Sequence, residues 1–105
     1  MEEIKSQDLT AEEFQHRMSV SDSFQIIDVR EVIEYLTFNL GGDNIPLGIL
    51  IKTAADLDYD KDKEIIVICQ RGLRSKTAKM ELLKNGYTNV RNLTGGILAL
   101  RKLNR

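Results

Sequence analysis

Residues 65–75 read IIVICQRGLRS, an unbroken apolar run that leads into the chain's one cysteine and a short basic loop. The run from Ile65 to Ile68 shows no alternation of apolar and polar side chains, which predicts a strand covered on both faces. Such strands are typical of parallel sheets that lie between layers of helices. After the loop, residues 75–85 are predicted to form a helix, with Gly86 as its C-terminal stop.

Helical and extended patterns alternate along the rest of the chain. Thr10 and Glu13 form a capping-box pattern at the start of the first predicted helix. Helices are predicted over residues 11–19, 31–36 and 47–57 and after residue 96, and strands over residues 24–29, 44–46 and 90–93, with a short edge strand at residues 3–5. This alternation predicts one α/β domain over residues 1–105, with a mostly parallel sheet flanked by helices.

The composition argues against several classes of protein. One cysteine and one histidine exclude an internal disulfide framework and a zinc site of about four ligands, so no metal and no other cofactor is expected. The 15 basic and 16 acidic residues give a net charge of -1, which lacks the basic excess of a nucleic-acid binder. We therefore expect no nucleic acid among the partners.

Membrane insertion and secretion are not expected either. No apolar run approaches the roughly 20 residues of a membrane span, and Met1-Glu2-Glu3 is not a signal-peptide opening. We therefore expect a cytoplasmic protein with no membrane partner. No exposed apolar stripe is evident in the sequence, so a monomer is expected.

The loop after the apolar run carries residues that suit chemistry. Cys69 lies at the predicted end of the buried strand, where α/β sheets bind their ligands. Nearby cations and a helix N-terminus lower the pKa of a thiol from ~8.5 and favour the reactive thiolate. Gly72 permits a tight turn whose N–H groups can converge on an anion, while Arg71 and Arg74 add donors for an oxyanion substrate. The alternative is a small buried core cysteine, a common role for a lone cysteine.

Four segments of the sequence resemble the rhodanese family, specifically its single-domain sulfurtransferases. They are IIDVRE at residues 26–31 with EY at 34–35, GGDNIPLG at 41–48, the strand and loop at 65–75, and NGYTNV and LTGGI between residues 85 and 97. One departure is Thr37-Phe38-Asn39, which stand where the family usually has Gly-His-Ile. We interpret this departure as a local change of loop and packing.

The resemblance implies a rhodanese-like three-layer fold, with a five-stranded, mainly parallel sheet flanked by helices. It also implies that Cys69 is the catalytic nucleophile and becomes a persulfide. The loop whose amides would hold the transferred sulfur consists of Gln70, Arg71, Gly72, Leu73 and Arg74. Asp28 and Arg30 match a pair that supports this loop, and Ser75 is a further supporting residue. The alternative for Asp28 and Arg30 is a purely structural ion pair.

The resulting hypothesis is a sulfurtransferase that works by covalent, ping-pong catalysis through Cys69. The donor would be a small molecule such as thiosulfate or a persulfide. The acceptor would be an external thiol or cyanide, because the chain has no second cysteine. The first alternative is a sulfur relay or partner-binding module without meaningful turnover. A cysteine phosphatase is less favoured, since such enzymes resemble Cys-x5-Arg, whereas Cys69 and Arg74 enclose four residues.

Overall fold

The computed structural model of the protein describes residues 6–20 and 23–104. This part of the chain contains four parallel strands, paired in the order β2-β1-β3-β4: β1 (Gln25–Asp28), β2 (Asp43–Asn44), β3 (Ile65–Ile68) and β4 (Val90–Asn92). The helices in the same ranges are α1 (Ala11–Ser19), α2 (Val32–Thr37), α3 (Leu47–Thr53), α4 (Leu73–Lys84) and α5 (Gly96–Lys102), with a 3-10 turn at Ala54–Asp56.

Strand β3 lies inside the sheet and is covered on both faces. Ile65 and Val67 pack into one hydrophobic core, and Ile66 and Ile68 pack into a second core on the opposite face. None of these four side chains has exposed surface. The predicted strand over residues 65–68 is therefore confirmed, because a strand without polar alternation can only be accommodated between two apolar layers.

Two layers of helices cover the sheet. Helices α3 and α4 cover one face, where Leu50 and Leu82 join the first core. Helices α1 and α5 cover the other face, where Phe14 and Ile97 join the second core. The three-layer α/β fold with a parallel sheet is thus confirmed. Burying each aliphatic side chain stabilises the folded state by roughly 1.5–3 kcal/mol. The summed burial on both faces of the sheet is what stabilises two cores in so short a chain.

The expected five strands are reduced to four in the described residues. Beyond β4 the sheet continues only as an isolated parallel bridge between Leu9 and Leu93. The Leu9 N–H donates to the Asn92 carbonyl at 3.0 Å, and the Leu9 carbonyl accepts from the Thr94 N–H at 2.9 Å. Leu9 alone makes both of these bonds, and the chain turns into α1 two residues later. The edge strand expected at residues 3–5 lies outside the described residues.

Local signals fix most helix boundaries. The Thr10–Glu13 capping box is formed in both directions, and α1 covers the predicted residues 11–19. Helix α4 begins two residues earlier than predicted, because Gly72 adopts a left-handed conformation, with φ 86°, that turns the chain directly into a helix. The helix predicted over residues 47–57 is shorter, since it ends at Thr53 and continues only as the 3-10 turn.

Helix α2 is exposed and apolar. None of its residues is buried, and Val32, Ile33 and Leu36 are 53%, 74% and 72% exposed. The expectation that no apolar stripe is exposed is therefore wrong for this helix, whereas the expectation of a monomer stays a prediction. Across residues 6–20 and 23–104, no helix is both long and apolar enough to cross a bilayer.

We predict that Leu82→Ala lowers the free energy of unfolding by about 2–5 kcal/mol, because it leaves a cavity between α4 and the sheet. Chemical denaturation followed by circular dichroism measures this change. Met80→Ala on the same helix is the control, since Met80 is 55% exposed and its truncation should change stability by less than ~0.5 kcal/mol. Equal losses in both variants would contradict the assignment of Leu82 to the core.

Candidate active site

The candidate site lies at the edge where the carboxyl ends of the parallel strands meet. Cys69 directly follows β3 and is 1% exposed, and residues 69–72 form what we call the cysteine loop. A pocket of about 280 Å³ opens beside it, and we call it the sulfur pocket. It is lined by Glu34, Cys69, Gln70, Arg71, Leu73 and Arg74. The structure therefore brings the loop residues named from the sequence to one pocket, except Gly72, which is buried behind it.

The sulfur of Cys69 is surrounded by hydrogen-bonding groups. The Gly72 and Ser75 N–H groups donate to Cys69 Sγ at 3.1 and 3.4 Å, and Ser75 Oγ lies 3.3 Å from the same atom. Burial raises the pKa of the Cys69 thiol, but the Ser75 hydroxyl and the N–H groups of the loop lower it by more. The pKa of Cys69 consequently lies below the ordinary value for cysteine, which favours the nucleophilic thiolate.

Asn92 supports this arrangement and was not identified from the sequence. It lies at the end of β4, and its Oδ1 is 2.5 Å from Ser75 Oγ, whose one proton Oδ1 and Cys69 Sγ share as acceptors. Its Nδ2 donates to the Gly72 carbonyl at 3.1 Å. One amide side chain thus holds two of the groups that surround the cysteine. The available signal was its position at the carboxyl end of a strand adjacent to β3.

Gly96 packs directly against the cysteine loop. A Cβ atom at this position would lie 2.5 Å from the Gln70 carbonyl oxygen and 2.6 Å from the Arg71 nitrogen. The next two residues hold the loop by hydrogen bonds, since the Ile97 N–H donates to the Cys69 carbonyl at 2.9 Å and the Leu98 N–H donates to the Gln70 carbonyl at 3.0 Å. The Gly95-Gly96 pair therefore positions the site as well as starting α5.

The two arginines near Cys69, Arg71 in the cysteine loop and Arg74 in the first turn of α4, differ in their surroundings. Arg71 is exposed at the pocket, as expected for a side chain that could meet a substrate. Arg74 instead donates two hydrogen bonds to the carboxylate of Glu34, at 2.6 and 3.0 Å. These bonds lower the pKa of Glu34 to about 2, so that its carboxylate is ionised at neutral pH. Glu34 thus takes two of the five N–H donors of the Arg74 guanidinium, and the expected contact of Arg74 with an oxyanion stays a prediction.

Asp28 and Arg30 form a buried ion pair at the end of β1. Arg30 Nη2 lies 2.8 Å from Asp28 Oδ2, and the side chains are 3% and 0% exposed. Arg30 Nη2 also donates to the Phe38 carbonyl at 2.6 Å, where α2 ends. The described residues show no hydrogen bond from this pair to the cysteine loop. The geometry is that of a structural ion pair, and its effect on the site is indirect because it anchors the helix that carries Glu34.

A second depression adjoins the sulfur pocket, and we call it the α2 groove. It has a volume of about 320 Å³ and is lined by Arg30, Ile33, Glu34, Thr37, Phe38, Gln70 and Arg101. The groove and the sulfur pocket share Glu34 and Gln70. Phe38, the aromatic residue within the departure from the family pattern, forms part of its wall. The Arg101 guanidinium lies 5.1 Å from the Phe38 ring centroid.

Among residues 6–20 and 23–104, no three His, Cys, Asp or Glu side chains lie close enough to hold a metal ion. The groups that the site offers are the Cys69 thiol, the loop amides and the flanking charges.

A parallel α/β domain with an activated cysteine between a buried strand and a helix defines a class of thiol-dependent proteins. The family model described as Rhodanese-like domain matches residues 10–103 of this chain. The chain belongs to the rhodanese-like domain family, and the resemblance inferred from its motifs is confirmed.

Individual relatives agree with this assignment. The chain is 34% identical over 91 residues to the putative sulfur carrier protein YrkF of Bacillus subtilis, which covers 86% of this chain and 48% of that protein. The chain described here therefore spans about half the length of YrkF. A protein of Allochromatium vinosum named sulfurtransferase is 26% identical over 92 residues, or 88% of this chain and 85% of that protein.

Solved structures show the same fold. The rhodanese-like domain of an Anabaena protein superposes with a TM-score of 0.82 at 22% identity, covering 95% of this chain and 76% of that one. A likeness at this level of identity establishes the architecture described above, while the chemistry of the site is argued from its own residues.

We predict that Ser75→Ala raises the pKa of Cys69, because it removes the hydroxyl that helps to lower that pKa. The thiolate fraction at neutral pH then falls, and the pH profile of alkylation by iodoacetamide shifts to higher pH. Ser19→Ala serves as the control, since this hydroxyl donates to the His16 carbonyl in α1. A Ser75→Ala profile that coincides with that of the wild type would contradict the assigned role of the hydroxyl.

We predict that Gly96→Ala displaces the cysteine loop and slows the alkylation of Cys69, because the new methyl group meets loop backbone at about 2.5 Å. The substitution also places alanine at φ 67°, which should lower the free energy of unfolding by roughly 1–3 kcal/mol. Gly48→Ala in α3 is the matched control, since a Cβ there has no atom within 4 Å. Unchanged alkylation in folded Gly96→Ala would show that the close contact does not shape the loop.

Proposed function

We propose that this protein is a sulfurtransferase that carries a sulfane sulfur on Cys69 as a persulfide. The observation that carries the proposal is the set of N–H groups around Cys69 Sγ, at 3.1 Å from Gly72 and 3.4 Å from Ser75, beside an open pocket. Such groups stabilise a thiolate before the reaction and a persulfide anion after it. The names of the two relatives, one a putative sulfur carrier and one a sulfurtransferase, support the same chemistry.

The proposed reaction has two half-reactions. In the first, the Cys69 thiolate attacks the sulfane sulfur of thiosulfate or of a persulfide. A bond forms between the two sulfur atoms, the original S–S bond breaks, and sulfite or a thiolate leaves with the electron pair. In the second, cyanide or an external thiol attacks the outer sulfur and regenerates the Cys69 thiolate. The acceptor lies outside these 105 residues, because they contain one cysteine.

A sulfur-relay protein is the second candidate. The observation that favours it is the relative named as a putative sulfur carrier protein. A relay would form the same Cys69 persulfide but would pass its sulfur to a specific protein thiol and only slowly to cyanide. The phosphatase alternative has less support, because Arg74 is held by Glu34 and the loop is one residue shorter than that chemistry uses.

We predict that thiosulfate adds one sulfur atom, about 32 Da, to Cys69, because the thiolate is the nucleophile that accepts sulfane sulfur. Intact-protein mass spectrometry before and after treatment with a reductant measures this adduct, and peptide mapping locates it. Cys69→Ser is the matched control and should gain no sulfur. Full sulfur transfer by Cys69→Ser would overturn the proposal, as would a wild-type protein that forms no persulfide with any sulfane sulfur donor.

Turnover then separates the enzyme from the relay. Steady-state rates with cyanide and with small thiols are compared after the persulfide has been shown to form. Rapid thiocyanate production supports the enzyme. A persulfide that forms readily but persists in the presence of cyanide and small thiols supports the relay.

A further inference from the structure

The charges that line the sulfur pocket nearly cancel. Its wall contains two guanidinium groups, those of Arg71 and Arg74, and one carboxylate, that of Glu34. Glu34 binds Arg74 through two hydrogen bonds, and both side chains are about one-third exposed at 32% and 37%. When Cys69 ionises, its negative charge offsets the remaining arginine. The pocket is thus poorly matched to a donor with two negative charges, because each additional anionic charge also meets the Glu34 carboxylate.

The α2 groove combines charged and polar side chains with two exposed apolar ones. Ile33 and Phe38 on its wall are 74% and 40% exposed, so apolar area there is open to solvent. The groove adjoins the sulfur pocket at Glu34 and Gln70. The wall also contains the guanidinium of Arg101 beside the Phe38 ring, the Glu34 carboxylate, and Arg30, which is paired with Asp28. A ligand whose reactive sulfur lies at Cys69 can therefore extend an apolar body into the groove.

We infer that the preferred donor is an organic sulfane sulfur compound with at most one negative charge, whose apolar body occupies the α2 groove, and that Glu34 sets this preference against thiosulfate. This inference rests on the proposed function, since it names the donor class for the same cysteine. Two independent features carry it: the Glu34 carboxylate that binds Arg74 beside Cys69, and the exposed Ile33 and Phe38 side chains in the adjoining groove.

Thiosulfate and benzenethiosulfonate form a suitable pair of probes. In both, the Cys69 thiolate attacks the terminal sulfane sulfur and the bond to the oxidised sulfur breaks. Sulfite leaves from thiosulfate and benzenesulfinate leaves from benzenethiosulfonate, in each case with the electron pair of that bond. The second donor replaces one anionic oxygen by a phenyl group, so the pair differs in charge and in apolar body. Each variant is compared with the wild type on the same donor, which cancels the difference in intrinsic reactivity.

The first test is Glu34→Gln. Glutamine can still accept the hydrogen bond that Glu34 Oε1 receives from the Glu31 N–H at 2.9 Å, but it carries no charge to hold Arg74. We expect kcat/KM for thiosulfate to rise roughly five- to tenfold, because a freed guanidinium can bind the dianion. The rise for benzenethiosulfonate should be smaller. Adding Arg74→Gln to Glu34→Gln should abolish the rise in kcat/KM for thiosulfate. Glu12→Gln, which makes the same change of net charge on α1, should leave kcat/KM for both donors unchanged.

The second test is Ile33→Gln, with Leu36→Gln as its matched control. Both leucine-sized side chains are more than 70% exposed on α2, but only Ile33 lines the groove. Ile33→Gln should lower kcat/KM for benzenethiosulfonate by about fivefold, because apolar contact with the phenyl group is lost. Ile33→Gln should leave kcat/KM for thiosulfate unchanged, and Leu36→Gln should leave kcat/KM for both donors unchanged.

The outcomes separate this inference from the proposed function. If Cys69 gains sulfur from neither donor, the proposed function fails and the inference with it. If Cys69 gains sulfur but Glu34→Gln raises kcat/KM equally for the two donors, or for neither of them, the role of Glu34 is overturned. If Ile33→Gln lowers kcat/KM equally for both donors, the α2 groove does not bind the organic body. The same conclusion follows if Ile33→Gln lowers kcat/KM for benzenethiosulfonate no more than Leu36→Gln does.

Discussion

The backbone contact between the cysteine loop and the start of α5 is the constraint on which the site depends. Because residue 96 has no side chain, the loop can approach the helix closely enough for the N–H groups of Ile97 and Leu98 to bind its carbonyls. On the other side of the loop, the N–H groups of Gly72 and Ser75 face the Cys69 sulfur. The Cys69 sulfur is therefore solvated by protein donors, although it is 1% exposed. A buried thiolate without such donors would be costly.

Charge balance is the second organising feature of the site. The Glu34 carboxylate reaches over from α2 and binds Arg74 at the start of α4, so two helices meet through one ion pair beside the cysteine. Helix α2 has no buried residues, and its position depends on such polar contacts and on the Arg30 bond to the Phe38 carbonyl. The Asp28–Arg30 pair is bonded to the end of this helix through the Phe38 carbonyl, and its support of the site stays a prediction.

Much of the fold was predictable because its signals are local or periodic. The apolar run at residues 65–68, the capping box at Thr10 and the glycines after the helices each indicate structure without reference to the rest of the chain. The misses have physical causes. The start of α4 depends on the left-handed conformation of Gly72, and in the described residues the sheet continues beyond β4 only as the bridge at Leu9. Both depend on how distant segments pack, which no local pattern encodes.

The sequence by itself determined the α/β class, the buried central strand and the candidate nucleophile at its end, because burial periodicity and residue chemistry are properties of adjacent residues. Only the tertiary structure decided which groups surround that nucleophile. Asn92 lies 17 residues beyond Ser75, and Glu34 lies 40 residues before Arg74. Parallel strand order brings these segments to one edge of the sheet, so the hydrogen bonds and the net charge at Cys69 exist only once the chain has folded.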